Sequence, residues 1–278
     1  MEQFKITKKS GEQVLFDEKK LRLSLESSGA SEEQVMKVLD ELYVYVRNGM
    51  STHKVYKKAY SILVKLSHRT AGRYRLKNAI MELGPTGYPF EKFVGALIRH
   101  RGLSTDVGVI VNGECVKHEV DVVAEDDKTM IVVECKFHHD GKGKSDVKVP
   151  LYIRSRFNDI QNQWNIEDKI KGRKFEGWVV TNTRFTEDAQ DFGRCSGLKL
   201  FSWDYPLHDS LKKMIDESGL HPLTSLKSLS SKEKSRILDK GVVLCKEITR
   251  EVLIESDINP RKIKKVLHEA KCIIDCVE

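Results

Sequence analysis

Three acids and a lysine stand at spacings suited to phosphodiester chemistry: Glu91, Asp121, Glu134 and Lys136. Glu134 and Lys136 are two apart in TMIVVECK, a run apolar enough to be a buried strand. Period-two alternation puts their side chains on one face of the sheet. Asp121 lies near the end of the preceding Val-rich run, across the polar turn Glu125-Asp126-Asp127-Lys128. Glu91 lies beside an apolar stripe, Phe90, Phe93, Val94, Leu97 and Ile98, that recurs at helical spacing. Charged groups in so apolar a strand must pair, bind metal or be costly. Two carboxylates with a third from the helix can hold Mg²⁺ or Mn²⁺ through oxygen. Such an ion polarises a phosphoryl oxygen and lowers the pKa of a bound water. The lysine can orient that water or offset charge building on the phosphate. On spacing alone, a same-face Glu134–Lys136 salt bridge and a solvated turn acid at Asp121 explain the residues equally well.

The elements that must position these groups follow from periodicity. Residues 87–101 read as a helix, and 115–123 and 129–136 as two strands. A helix over 149–171 carries Tyr152, Arg154, Arg156 and Phe157. Strands at 175–182 and 198–203 flank a helix that begins near Thr186. Strands separated by helices predict a mixed central sheet with helices on both sides. His138-His139-Asp140-Gly141-Lys142-Gly143-Lys144 reads as a mobile loop.

Asp121…Glu134-x-Lys136 resembles the PD-(D/E)xK nuclease pattern, without the proline before the aspartate. With GYPFEKFVGALIRHRG, HEVDVV, MIVVECKFH, FEGWVVTNTRFTEDAQDFG and LKLFSWDYP around it, residues 87–210 resemble a type IV, Mrr-like restriction endonuclease domain. The resemblance implies Asp121, Glu134 and Lys136 as the catalytic set, Glu91 as the helix acid, and Asp121, Glu134 and Glu91 as metal ligands. On the helix over 149–171, Arg154 reads equally as a plain surface arginine or, by its likeness to the helix that flanks the active site in related nucleases, as a candidate phosphate contact. Two departures stand out. Val116 to Val120 replaces the Gly-rich run of many members, and Glu134 stands where many carry Gln.

Residues 1–84 predict a hairpin (Phe4 and Ile6, a turn at Lys9 to Glu12, Val14 and Phe16) and then four helices. The first is N-capped by Asp17; the others cover 31–47, 51–67 and 70–83, and Gly84-Pro85 is a stop. Ile6-Thr7-Lys8-Lys9-Ser10-Gly11, Phe16-Asp17, Lys20-Leu21, Ser51-Thr52, Arg73-Tyr74-Arg75-Leu76 and Leu83-Gly84-Pro85 resemble the ATP-cone, a nucleotide-binding module. That resemblance implies ATP or dATP as effector, with Lys8, Lys9 and Lys20 facing triphosphate, Ile6 lining the base and Thr52 near base or sugar. Gly84 to Gly87 reads as a short hinge. Residues 207–278 carry no strand signal; helices fit 207–218, 223–228, 231–239, 244–254 and 259–275, with a faint helix-hairpin-helix look around Gly241, and 211–278 form the C-terminal domain.

The fold class is therefore multi-domain α/β: a hairpin-plus-helices block, a restriction-endonuclease-like mixed sheet, and a small helical C-terminal domain. The net charge of +7 divides as +6 over 1–86, −2 over 87–210 and +3 over 211–278, so the acids concentrate where a cation is expected. The six cysteines form no CxxC pair, the first segment lacks an apolar leader, and no apolar run is long enough for a membrane. These point to reduced, buried thiols, a cytoplasmic location and no membrane partner. The reading is an Mg²⁺-dependent DNA endonuclease regulated by nucleotide, with DNA and a homo-oligomer as partners. The alternative is a nucleotide-responsive DNA-binding regulator whose nuclease fold does not cut.

Overall fold

In the computed structural model the chain is described over residues 4–8, 11–26, 28–84, 86–141 and 143–274, with His68, Arg69 and Arg73 by backbone only. Lys9, Ser10, Pro85, Lys142 and Cys276 lie outside the described residues.

The N-terminal block opens with β1 (Lys5–Thr7) and β2 (Gln13–Leu15), antiparallel with Ile6 opposite Val14. Helix α1 (Glu18–Glu26) starts where Asp17 Oδ1 accepts the Lys20 backbone N–H at 3.1 Å. Helix α2 (Glu32–Tyr45) starts with a reciprocal Ser31/Gln34 capping box. A two-residue strand, β3 (Met50–Ser51), joins β1 in parallel and leads into α3 (Thr52–Leu66). It is too short to leave an alternation in the sequence. The helix expected over 70–83 is broken near Arg75 into α4 (His68–Tyr74) and α5 (Leu76–Met81). Leu25, Val35, Val38, Leu42, Ala59 and Leu63 form the core of this block.

The central block begins with α6 (Tyr88–His100), followed by β4 (Ser104–Asn112), β5 (Lys117–Glu125) and β6 (Thr129–Lys136). Next come β7 (Lys144–Ser145), α7 (Lys148–Ile166), β8 (Lys174–Thr181), β9 (Arg184–Phe185), α8 (Glu187–Ser196) and β10 (Lys199–Phe201). The five-stranded sheet runs β10-β8-β6-β5-β4. β4, β5 and β6 form an antiparallel meander, and β6, β8 and β10 are parallel. α6 packs Phe93, Val94 and Ile98 toward Val122, Val133 and Trp178. α7 packs Ile153, Phe157, Ile160 and Trp164 toward Met130, Val132 and Val179, which alternate with the first set on the opposite face.

Three expectations change here. β4 occupies residues given no element above, although Val107, Val109 and Val111 do alternate with the exposed Asp106, Gly108 and Ile110. The strand expected from 115 starts at 117, so Cys115 lies in the β4–β5 turn and is exposed rather than buried. The loop at 138–144 is tethered: the Asn182 side chain accepts from His138 N–H and donates to His138 C=O, each at 2.8 Å, and His138 Nε2 lies 3.0 Å from Ser145 Oγ.

The C-terminal block comprises α9 (Leu211–Ser218), α10 (Ser231–Asp239), α11 (Arg250–Glu255) and α12 (Pro260–Ile274), with 3-10 turns at Leu223–Ser225 and Cys245–Glu247. Thr249 caps α11, which is why the helix expected over 244–254 is broken. Pro222 and Leu244 form an isolated bridge where no extended pairing was expected. This block does not stand apart. Leu223, Ile263 and Val266 share one core with Leu76, Ile80 and Phe90. Thr224 Oγ1 donates to Ala79 C=O at 2.5 Å. Lys234 Nζ donates to Glu82 Oε2 at 2.9 Å and to Thr224 C=O at 2.7 Å. The segment read as a hinge is therefore bridged on both sides by the C-terminal helices.

Candidate active site

The β5–β6 ladder ends at Val122 opposite Val133, and one step further on stand Asp121 and Glu134. The strands part at that step. The Asp121 carboxylate takes over part of the ladder's role: Oδ2 accepts the Cys135 backbone N–H at 2.6 Å. On the other side of β5 the ladder also skips, passing from Val107–Val122 to Val109–Val120. Gly108 fills the gap at a φ of 68°, a left-handed conformation that a side chain would strain. β6 stays paired to β8 through Lys136 opposite Thr181, so Glu134 and Lys136 are held on a rigid strand.

Helices complete the site. Arg156 on α7 donates from Nη1 to Glu134 Oε2 at 2.7 Å, and from Nη2 to the Glu119 carbonyl. Glu91, in the first turn of α6, is half-buried with its carboxyl in the field of Asp121, Glu119 and Glu134. Lys136 is exposed, and its charge acts on both Asp121 and Glu134. The four residues expected from the sequence thus lie near enough for each to act on the charge of another.

The electrostatics are unbalanced. Burial, then repulsion from Asp121, Glu119 and Glu134, raises the Glu91 carboxyl to about 7. Burial, then Asp121, raises Glu134 to about 7 even against Arg156 and Lys136. Burial also raises Asp121, outweighing its Cys135 N–H bond and Arg156. Four carboxylates face two cations. A hard divalent cation fits this donor set: Asp121 Oδ1 and Glu134 Oε1 accept no hydrogen bond among the described residues. The full cage is not preformed, since among the described residues no three His, Cys, Asp or Glu side chains group closely enough to hold a metal. Mg²⁺ needs only one or two carboxylates, with water and phosphate completing its shell.

Arg156 is the site residue that sequence reasoning passed over in favour of Arg154. Both flank the buried stripe Ile153, Phe157, Ile160 and Trp164. Only the position of the sheet's acids distinguishes them, and helical spacing does not carry that. A second unforeseen group holds α7 in place. Asp159 accepts from Cys115 N–H at 2.9 Å and Val116 N–H at 3.4 Å, and its Oδ2 lies 2.7 Å from His118 Nε2. These bonds, that of His118 foremost, pull the Asp159 carboxyl to about 2. They lock the helix bearing Arg156 to the β4–β5 turn.

The hairpin residues are differently placed. Ile6 packs into the core of the N-terminal block, not against an open cavity. Lys8 pairs with Glu12 at 3.0 Å and Lys20 with Asp17 at 3.3 Å, so each already has a carboxylate. Thr52 is the first residue of α3, half-buried beside its Ser51 cap.

Residues 84–205 match the family described as "Restriction endonuclease", and residues 221–274 match "AF1548-like, C-terminal". The N-terminal block lies outside both matches. An uncharacterized protein of Archaeoglobus fulgidus is 32% identical over 181 residues, spanning 64% of this chain and 98% of the relative. The crystal structure of the protein of unknown function AF1548 aligns at a TM-score of 0.57 and 31% identity, over 68% of this chain and 99% of that one. Can2 from Sulfobacillus thermosulfidooxidans, solved with cyclic tetra-adenylate, aligns at only 0.33 and 20% identity, over 46% of this chain and 34% of that one. The opened strand pair and its acids therefore sit within a restriction endonuclease domain, which suggests a nuclease. With nearly the whole Archaeoglobus relative matched at that identity, the chain belongs to the AF1548-like family, its restriction endonuclease domain followed by the family's C-terminal domain.

Proposed function

We propose that the protein is a metal-dependent DNA endonuclease that hydrolyses phosphodiester bonds and is regulated by ATP or dATP at its N-terminal block. One observation carries the reading: Asp121, Glu134 and Lys136 converge where β5 and β6 part, inside the matched domain. Asp121 and Glu134 would hold Mg²⁺ or Mn²⁺, with Glu91 behind them. When bound, the ion polarises the scissile phosphate and acidifies a water. Lys136 orients that water and offsets charge developing on the phosphate. Arg156 holds Glu134 in position and reduces the repulsion between the acids. A homo-oligomer suits a nuclease that cuts both strands. The test is cleavage of plasmid or oligonucleotide DNA with Mg²⁺ or Mn²⁺, with and without ATP or dATP, for wild type and Glu134→Ala. Equal activity in the two proteins rejects the reading, and RNA and modified DNA serve as competing substrates.

One feature favours a second reading, a nucleotide-responsive DNA-binding regulator that does not cut. The Arg156 guanidinium already occupies one oxygen of Glu134. Salt-sensitive DNA binding with no cleavage under either ion selects this reading over the first.

A further inference from the structure

A cavity of about 520 Å³ opens between α3, α5 and the C-terminal block. Its size is that of a small-molecule site, roughly 300–1,000 Å³. Two tyrosines and three cations line it. Tyr56 is backed by Tyr74, stacked at 4.9 Å and 16°. Tyr60 is buried and carries the Lys227 ammonium 3.6 Å from its ring centre. Arg75 is paired with Glu82, whose second oxygen is taken by Lys234 at 2.9 Å. The cavity's one carboxylate is thus shared by two cations. Among the described residues, Lys57 and Lys227 form no ion pair. Desolvation, then Arg75 and also Lys57, pushes the Lys227 ammonium below its usual range against the pull of Glu269. The Lys227 ammonium rests on the Tyr60 face, while the Glu269 carboxylate nearby is taken up by the Lys227 and Ser228 backbone N–H groups at 2.7 and 2.8 Å. A second cavity of about 360 Å³ shares Lys227 and adds Lys265, His268 and Glu269 along α12.

The cavity therefore joins flat aromatic walls to cations that outnumber the acids beside them: Lys57, Arg75, Lys227 and Lys234 against Glu82 and Glu269. We propose that it binds a nucleoside phosphate, with the ring beside Tyr56 and Tyr60 and the phosphate among Arg75, Lys57 and Lys227. The inference shares with the proposed function the idea that a nucleotide acts on the N-terminal block, but places it away from Lys8, Lys20 and Thr52. Because Lys227 belongs to the C-terminal block and Arg75 adjoins α5, an anion here ties the N-terminal helices to the part of the chain that supports α6.

The test is calorimetric titration of the full chain with ATP, AMP, adenosine and inorganic pyrophosphate. ATP and AMP should bind, with adenosine and pyrophosphate each weaker by about tenfold or more. Lys57→Glu with Lys227→Glu, both at exposed positions, should weaken ATP by about tenfold or more without changing the thermal melt. Lys8→Ala with Lys20→Ala should leave it unchanged. Undiminished ATP binding in the Lys57/Lys227 variant overturns the inference. Should the Lys8/Lys20 variant alone lose binding, the cavity is excluded while the hairpin reading survives. Should wild type bind no nucleotide, both fall. Pyrophosphate binding as tightly as ATP removes the aromatic half of the proposal.

Discussion

Two regions of the molecule carry unmatched charge, and of opposite sign. Where β5 and β6 part, Glu91, Glu119, Asp121 and Glu134 face, among the described residues, Lys136 and Arg156. Between α3, α5 and the C-terminal block, Arg75 and Lys234 share Glu82, and Lys57 and Lys227 add further positive charge with Glu269 nearby. Surplus charge of one sign in a partly desolvated place costs stability. Elsewhere the fold avoids that cost. Glu233 has its backbone bond from Ser230 and the Lys262 ammonium at 3.0 Å, which together draw its carboxyl to about 2 although burial alone would raise it. The contrast separates charge that finishes the fold from charge that awaits a ligand: a cation at the first region, an anion at the second.

The largest expected effect breaks the acidic region. Glu134→Ala or Lys136→Ala should each lower Mg²⁺-dependent cleavage by roughly 10²–10³-fold, read as initial rates on supercoiled DNA. The same changes should leave the melting temperature within a few degrees of wild type, because neither side chain contributes to the apolar core. Next in size is the junction. Lys234 is buried, and Lys234→Ala leaves the Thr224 carbonyl and one Glu82 oxygen without their partner. A loss of about 2–3 kcal/mol is expected by urea denaturation, below the full value for a buried pair because Glu82 is partly exposed. An unchanged midpoint would show that the C-terminal block is held by its apolar contacts alone.

The elements that carry the acids and the lysine were easier to read from the sequence than the frame around them. Glu91, Asp121, Glu134 and Lys136 were all placed by period-two and helical spacing, because apolar strands leave a strong pattern around the charges they carry. β4 was not, although Val107, Val109 and Val111 alternate: with Asp106 and Gly108 between them and Ile110 on the exposed face, the run lacks the apolar density of β5 and β6. Arg156 and the Asp159–His118 clamp were also missed. They depend on how α7 is rotated over the sheet, and short-range spacing is blind to that. The union of the C-terminal helices with α5 and α6 was hidden for a related reason. Leu76, Ile80, Leu223 and Ile263 look like ordinary amphipathic helix faces until their partners are known.

A finer test uses pH to sharpen the comparison. Glu91 and Glu134 are raised to about 7, so their ionisation opposes folding as pH climbs from the unfolded value near 4.3 through 7. Millimolar Mg²⁺ or Mn²⁺ should therefore raise the melting temperature more at pH 8 than at pH 5.5. Glu91→Gln should make the metal-free protein more stable than wild type at pH 8, by roughly 2–4 °C, and equal to it near pH 5. A metal effect independent of pH would mean that the ion binds elsewhere.

The smallest effect comes from an acid whose charge is already matched. Burial alone would raise Glu176, but Lys174 at 2.8 Å, Lys199 at 2.6 Å and Trp178 Nε1 at 2.8 Å bring its carboxyl to about 2. Its sign is opposite to that of Glu91. A depressed carboxyl stabilises fully above its unfolded pKa, and that contribution is lost as pH falls toward 2. Glu176→Gln should thus cost about 1 kcal/mol at pH 7, a value discounted because both lysines are largely solvated, and should converge on wild type near pH 2. Added Mg²⁺ should change neither result, since no oxygen of Glu176 is left for it. If Glu176→Gln and Glu91→Gln shifted stability in the same direction at pH 8, the division between completed and ligand-seeking charge would fail. The acids at the parted strands would then be one more surface cluster.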